Sequence, residues 1–156
     1  MMSRVAVLLL AMTAVPAAAD DQAMAFVDGL AQKLLVGSFT TETNRPAATV
    51  PMKTDRYRIA DVRHVGGDQF VVEARITYGT NDVTVPVPVT VKFAGETPVL
   101  SLDKLKIPLL GEDFGAKILF DFEANRYAGT WRHGDVGGTM WGRITEPPAD
   151  EPADSE

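Results

Sequence analysis

Catalysis and metal binding draw on a short menu of side chains, and this chain of 156 residues is poor in most of them. It has no cysteine and two histidines, His64 and His133. A zinc site needs several convergent nitrogen, sulfur or oxygen ligands. With two imidazoles and no thiol, it would have to recruit carboxylates such as Asp121, Glu123 or Asp135. Structural histidines, hydrogen-bonded in place, are the simpler reading, so no metal and no cofactor are expected. The chain has no Gly-x-Ser-x-Gly elbow, and neither histidine belongs to a recognisable triad. Asp121 and Glu123 share one strand face beside a turn, which leaves one catalytic alternative: a periplasmic hydrolase or isomerase using His133 with Asp121 or Glu123. Nothing in the sequence marks a cleft or a raised pKa for that pair. Gly134 to Gly138 does not open a helix, so the segment lacks the helix start that holds phosphates.

The remaining chemistry is aromatic. Arg126 to Ile144, RYAGTWRHGDVGGTMWGRI, contains both tryptophans, His133 and five glycines. Read as strand, it puts Tyr127, Gly129, Trp131 and His133 on one face. If that face lines a barrel, with Phe120 and Tyr78 contributed by neighbouring hairpins, the lumen is aromatic with a polar tip, the make-up of a small-molecule pocket. If the rings pack together instead, they form a solid core. Tyr127, Trp131, His133, Phe120 and Tyr78 are therefore the candidate ligand-binding residues. Two registers compete for the second half of this stretch. One sets Trp131 opposite Trp141; the other sets Trp131 over Gly142 and Gly129 beside Ile144. Large-over-small pairing favours the second. It turns Trp141 outward beside Arg143, and these two residues form a candidate partner surface.

These residues need elements to position them. Residues 1–19 read as a signal peptide: Arg4, an apolar run from Val5 to Val15, then Pro16 and Ala17-Ala18-Ala19 as the cleavage site. The run is short for a membrane span. The mature chain is then periplasmic or secreted and keeps no stable membrane anchor. Losing Arg4 takes the formal net charge from −6 to −7, which argues against nucleic acid and anionic lipid as partners. A small apolar ligand or an envelope protein remains as partner. Residues 20–145 are long enough for one domain. Residues 146–156, EPPADEPADSE, are proline-rich and acidic with no large apolar side chain, and predict a disordered tail.

Within the domain, Ala23, Phe26, Val27, Leu30, Leu34 and Leu35 fall on one stripe, which predicts an amphipathic helix over Gln22 to Val36, capped by Asp21 and ended by Gly37. The rest alternates with period two. Even positions from Phe70 to Tyr78 and odd positions from Val83 to Phe93 are apolar. A turn at Gly79 to Asp82 would set Tyr78 opposite Val83 and Phe70 opposite Val91. Pro86 and Pro88 remove two donors from one edge of the second strand, which predicts a gap or free edge toward the strand that follows. Between Tyr57 and Val65 the apolar phase shifts by one, which predicts a β-bulge near Ala60-Asp61. Lys104 to Gly111 reads as a crossing segment over one end of the core. A second hairpin, Ala116 to Phe122 with Tyr127 to His133, would pair Phe122 with Tyr127 and Phe120 with Gly129. Arg75 and Arg132 fall on outward faces and are expected to be solvated. About eight short strands joined by short turns describe an antiparallel meander, mainly β, closing into a small lipocalin-like barrel behind one N-terminal helix. A two-sheet sandwich is the alternative.

Tyr127-Ala128-Gly129-Thr130-Trp131-Arg132-His133-Gly134 followed by Val136-Gly137-Gly138, together with Tyr78-Gly79, the Asp82 to Pro88 run DVTVPVP and Ile107-Pro108, resembles a family of exported bacterial proteins of unknown function, frequent in planctomycetes. The resemblance covers about Leu34 to Ile144 and implies no activity. The family pattern has a histidine after the double glycine where this chain has Thr139, so the resemblance carries no two-histidine metal site here. Gly129-Thr130-Trp131 is also similar to strands of lipocalin-like and avidin-like barrels. The leading expectation is a non-catalytic exported barrel that binds a small apolar or amphipathic ligand, or serves as an envelope interaction module.

Overall fold

The structure is a computed structural model, and it describes residues 17–43, 50–78, 81–106 and 113–149. A helix, α1 (Ala17–Leu30), is followed by β1 (Leu34–Thr40), the two-residue β2 (Glu42–Thr43), β3 (Met52–Gly66), β4 (Gln69–Tyr78), β5 (Asn81–Ala94), β6 (Thr97–Lys106), β7 (Asp113–Asp121), β8 (Arg126–His133) and β9 (Val136–Thr145). The long strands pair antiparallel in chain order from β3 to β9, and β1 pairs with both β3 and β9. Eight strands thus close a barrel, and closure removes the exposed edges an open sheet would leave. β2 adds a short extra rung on β9.

Alternation sends one set of side chains inward. Ile59 and Val62, Phe70 and Val72, Val87, Val89 and Val91, Leu100 and Leu102, Ala116 and Phe120, Tyr127, Met140 and Ile144 are all buried. The phase shift in β3 is the expected bulge, at Ile59/Asp61. The bulge has a local use: the carbonyl of Ala60 accepts the side-chain amide of Gln32, and Ile59 N–H donates to the Lys33 carbonyl at 2.9 Å. The link between helix and barrel is tied down at that bulge.

The helix differs from its expected bounds. It ends at Leu30, and Leu34, Leu35 and Val36 belong to β1, not to the helical stripe. Gln32 takes φ 61, a left-handed turn that stops the helix without a glycine. The helix also begins at Ala17, so the expected cleavage point after Ala19 falls in its first turn. Ala23, Phe26 and Leu30 are buried and lie across the barrel end where β4 starts and β7 ends. Phe26 is fully buried and meets Phe70 and Phe120 edge to face, with centroids at 5.2 and 5.9 Å. Burying one such ring is worth about 2–3 kcal/mol. Gln22 Nε2 donates to the Gly95 carbonyl at 2.8 Å and ties the helix to the β5–β6 turn.

Register is set by the turns. Three hairpins close on two-residue loops that begin with a left-handed glycine: Gly67-Asp68 (φ 54), Gly95-Glu96 (φ 64) and Gly134-Asp135 (φ 57). A glycine-first loop matches the right-handed twist of the strands it joins. β8 and β9 therefore pair with Trp131 over Gly138 and Tyr127 over Gly142, neither of the two expected registers. In β4–β5, Tyr78 faces Asn81 and Phe70 faces Val89; in β7–β8, Phe120 faces Tyr127 and Ile118 faces Gly129. Each is two residues from expectation, so every inward side chain stays inward. Phe122 leaves the strand to sit under Gly29 and Phe26, and Asn125 (φ 53) completes that turn.

Among the described residues, the proline-bearing edge of β5 is unpaired toward β6, as expected. β5 and β6 pair only over Thr90–Ala94 and Thr97–Ser101. Above that point Pro86 and Pro88 supply no donors, and β6 bulges between Leu102 and Leu105, with Lys104 at φ 55. The crossing segment expected from Lys104 starts as the end of β6; residues 107–111 lie outside the described residues. The predicted tail is anchored at its start, where Glu146 pairs with Lys33; residues 150–156 lie outside the described residues.

Candidate functional site

Within the barrel lies a partly open pocket of about 240 Å³. Leu35, Ile59, Val72, Val87, Leu100 and Met140 supply much of its wall, Phe120 and Leu30 lie toward the helix end, and Leu105 and Phe114 toward the other. Val87 and Val89 on β5 and Leu102 and Leu105 on β6 bring the lining up to both sides of the unpaired stretch. The walls of this pocket are chiefly aliphatic.

The five candidate ligand-binding residues separate. Phe120 lines the cavity. Tyr127, Trp131 and His133 share the inward face but are not lining residues, and the side chain of Tyr78 lies outside the described residues. Tyr127 is buried because its ring lies across Gly142 and its hydroxyl reaches Gly37 on β1. Trp131 meets Phe39 edge to face at 5.6 Å and donates from Nε1 to the Thr40 carbonyl at 3.1 Å. Thr40 Oγ1 also accepts from Thr139 N–H at 2.9 Å. The aromatic and glycine-rich motif thus welds β8 and β9 to β1 and closes the barrel.

His133 faces Phe114 at 6.3 Å, and its Nε2 is shut off from solvent with no hydrogen-bond partner among the described residues. The pairing with Asp121 or Glu123 does not form. His133 sits opposite Phe114, seven residues along β7 from Asp121, about 23 Å at strand rise. Asp121 instead accepts the Ala124 N–H in the turn at 2.9 Å. Among the described residues no group of three or more histidines and acids could hold a metal. Trp141 is 41% exposed on the outer surface, beside exposed Arg143. Arg132 is exposed as expected; Arg75 instead clasps Asp82 with two bonds of 2.7 and 2.5 Å and holds that carboxyl below its usual range.

Two polar residues that were not among the candidate site residues stand at or beside the site. Tyr57 lines the cavity, and Asp55 stands two residues before it on the same face of β3. Asp55 Oδ1 also accepts the Arg56 N–H at 2.8 Å. Burial raises the pKa of Asp55 and of Tyr57, and Asp55's charge raises Tyr57 further. Tyr127 is pushed up to about 12, by burial and then by Asp55. Folding therefore keeps both phenols neutral. Below the ordinary tyrosine pKa of about 10 this costs nothing, because the unfolded chain is neutral too. Above it the unfolded chain ionises first, and stability should fall by about 1.4 kcal/mol per pH unit for each of the two phenols, for Tyr127 until its folded value is reached. Urea midpoints should hold between pH about 8 and 9.5 and drop steeply beyond about 10, with a shallower drop in Tyr127→Phe. A flat profile to pH about 11.5 would contradict the burial of these phenols.

No helix among the described residues is long and apolar enough to cross a membrane. Comparison with protein-family models, with curated proteins and with solved structures gives no match to this chain.

Proposed function

We propose that this chain is an exported, non-catalytic barrel that holds one small apolar or amphipathic molecule in its lumen. The observation that carries the reading is the 240 Å³ cavity with an almost wholly apolar lining. A dry apolar cavity of about 150 Å³ already accepts a benzene-sized guest, and closely packed interiors keep few voids larger than a water. Retaining so large a void forfeits dispersion contacts, a cost that a bound molecule would offset. The open flank of β5 gives that molecule a way in beside Val87 and Leu102. Export rests on the signal-like residues 1–19. The non-catalytic reading is supported by the separation of His133 from Asp121 and Glu123 at opposite ends of β7.

An envelope interaction module is the second reading, favoured by one observation. Leu119, 44% exposed, and Trp141, 41% exposed, flank Ala128 on neighbouring strands of the outer wall. The two readings separate on titration with a small neutral hydrocarbon such as toluene, followed by methyl NMR. Lumen binding moves the methyls of inward residues; a purely external docking module leaves them where they were.

A further inference from the structure

We propose that the outer wall of β7, β8 and β9 docks on an anionic membrane surface, with Leu119 and Trp141 entering the headgroup layer and Lys117, Arg126 and Arg143 meeting lipid phosphates. The proposal rests on the external-docking reading, gives it a partner, and is independent of what the lumen holds.

The strand registers gather these residues on one surface. Lys117 and Leu119 on β7, Arg126 and Ala128 on β8, and Trp141 and Arg143 on β9 are all exposed. Leu119 pairs with Ala128 and Ala128 with Trp141, so two large apolar side chains stand two strand spacings apart, about 10 Å, with one methyl group between them. Two residues along, Arg126 lies directly opposite Arg143. Like charges so placed destabilise a sheet. Among the described residues neither arginine is ion-paired to an acid. Asp121, opposite Arg126, gives its Oδ1 to the Ala124 N–H in the turn. An anion over this pair would relieve the repulsion. Lys117 stands two residues from Leu119 on the other side, so cations flank the apolar pair at both ends. The net charge of −6 argues against an anionic lipid, but it is spread over the whole chain, and charges more than about 10 Å away are largely screened. A membrane fits this wall better than a protein does. The wall is the convex outside of a barrel, and Ala128 leaves it without a third large side chain to shape the packed pocket that a protein hot spot fills. A fluid headgroup layer conforms to projecting side chains, and tryptophan is favoured at that depth. Binding there grows with buried apolar area and with the attraction of cations to anionic lipid.

The test titrates the full chain with phosphatidylglycerol vesicles and with phosphatidylcholine vesicles at low ionic strength, following tryptophan emission. Affinity is read as the ratio of anionic to neutral vesicles, so any contribution of the apolar run at 5–15, common to both, cancels. At about fivefold for each cation near an anionic surface, three cations give a ratio of about a hundredfold. Arg126→Gln with Arg143→Gln should lower it to about fivefold. Should the double variant fail to fold, either single variant serves and should lower the ratio about fivefold. Lys92→Gln, an exposed cation on β5 three strands from β8, should leave it within about twofold. Emission should shift to the blue on phosphatidylglycerol, and Trp141→Phe should remove the shift although Trp131 remains. A ratio below about threefold in the natural chain would overturn the proposal. So would a ratio unchanged in a folded arginine variant, or a blue shift that survives Trp141→Phe. If vesicles fail in any of these ways while polyglutamate moves the Trp141 emission, the wall docks on acidic protein: the membrane proposal falls and the external-docking reading stands. If neither acts on Trp141, both fall, and the lumen reading is judged separately by toluene.

Discussion

Gly142→Ala is expected to cost about 4 kcal/mol, most of the stability of a marginal domain. Gly142 sits at the seam where β9 meets β1, opposite Gly37 on one side and Tyr127 on the other. A methyl group there would lie 2.7 Å from Gly37 Cα and 2.7 Å from Tyr127 Cε1, and closer still to the Val36 carbonyl oxygen. Two of those three neighbours are backbone of the adjoining strand, so relief requires the seam to open. The third is the ring whose hydroxyl packs against Gly37. Gly95→Ala is the control: its methyl would meet nothing within 4 Å, but φ is 64. Its cost should be the backbone penalty alone, about 1–2 kcal/mol. Chemical denaturation of both variants checks the contrast, and equal losses would mean that β1 and β9 are not tightly joined.

Filling the lumen should act in the opposite direction on stability and remove binding. Ala74 on β4 and Ala116 on β7 both line the cavity, three strands apart. The double replacement Ala74→Leu with Ala116→Leu places six more carbon atoms in the void. Each methylene that is buried without strain adds about 0.8 kcal/mol, so even partial accommodation raises stability by about 1–2 kcal/mol. In a solidly packed core the same change would cost about 1–3 kcal/mol at each site. The sign therefore distinguishes a hollow barrel from a filled one. With the guest's space taken, affinity for toluene should fall about a hundredfold, equivalent to about 2.7 kcal/mol. Thermal unfolding and titration of the same sample give both numbers.

The faces of the strands were legible in the sequence, and their registers were not. Period-two alternation assigns Phe70, Val72, Val87 and Val89 to the interior whatever the register, and all four are buried there. A slip of two or four residues preserves that assignment, so the pattern cannot choose among such registers. Turn chemistry chooses, and its signal was present: Gly67-Asp68, Gly95-Glu96 and Gly134-Asp135 are the same glycine-first loop used three times. The gap beside Pro86 and Pro88 and the bulge at Ala60 were legible because each follows from one local fact, a missing donor or a phase shift.

The helix end was hidden for a physical reason. Leu34 and Leu35 satisfy the helical stripe as well as the strand, and the reversal at Gln32 uses a residue that gives no warning of a positive φ. The aromatic face of β8 was correctly oriented, yet its role depends on the seam with β1, a pairing of segments about a hundred residues apart that no local pattern encodes. Asp55 and Tyr57 escaped notice because an acid and a phenol two residues apart form no motif. They matter only once the fold sets Tyr57 against the cavity with Asp55 beside it on the same face of β3.

The claim at the centre of this account is that the lumen is an accessible apolar binding site, and methyl NMR of the full chain titrated with toluene tests it most directly. The account predicts saturable shifts for the methyls of Val72, Val87, Leu100, Leu102 and Ile118, with Val65 and Leu119 on the exterior unchanged. Inward methyls that stay fixed up to the solubility limit of toluene, or shifts confined to the exterior near Leu119 and Trp141, would contradict it.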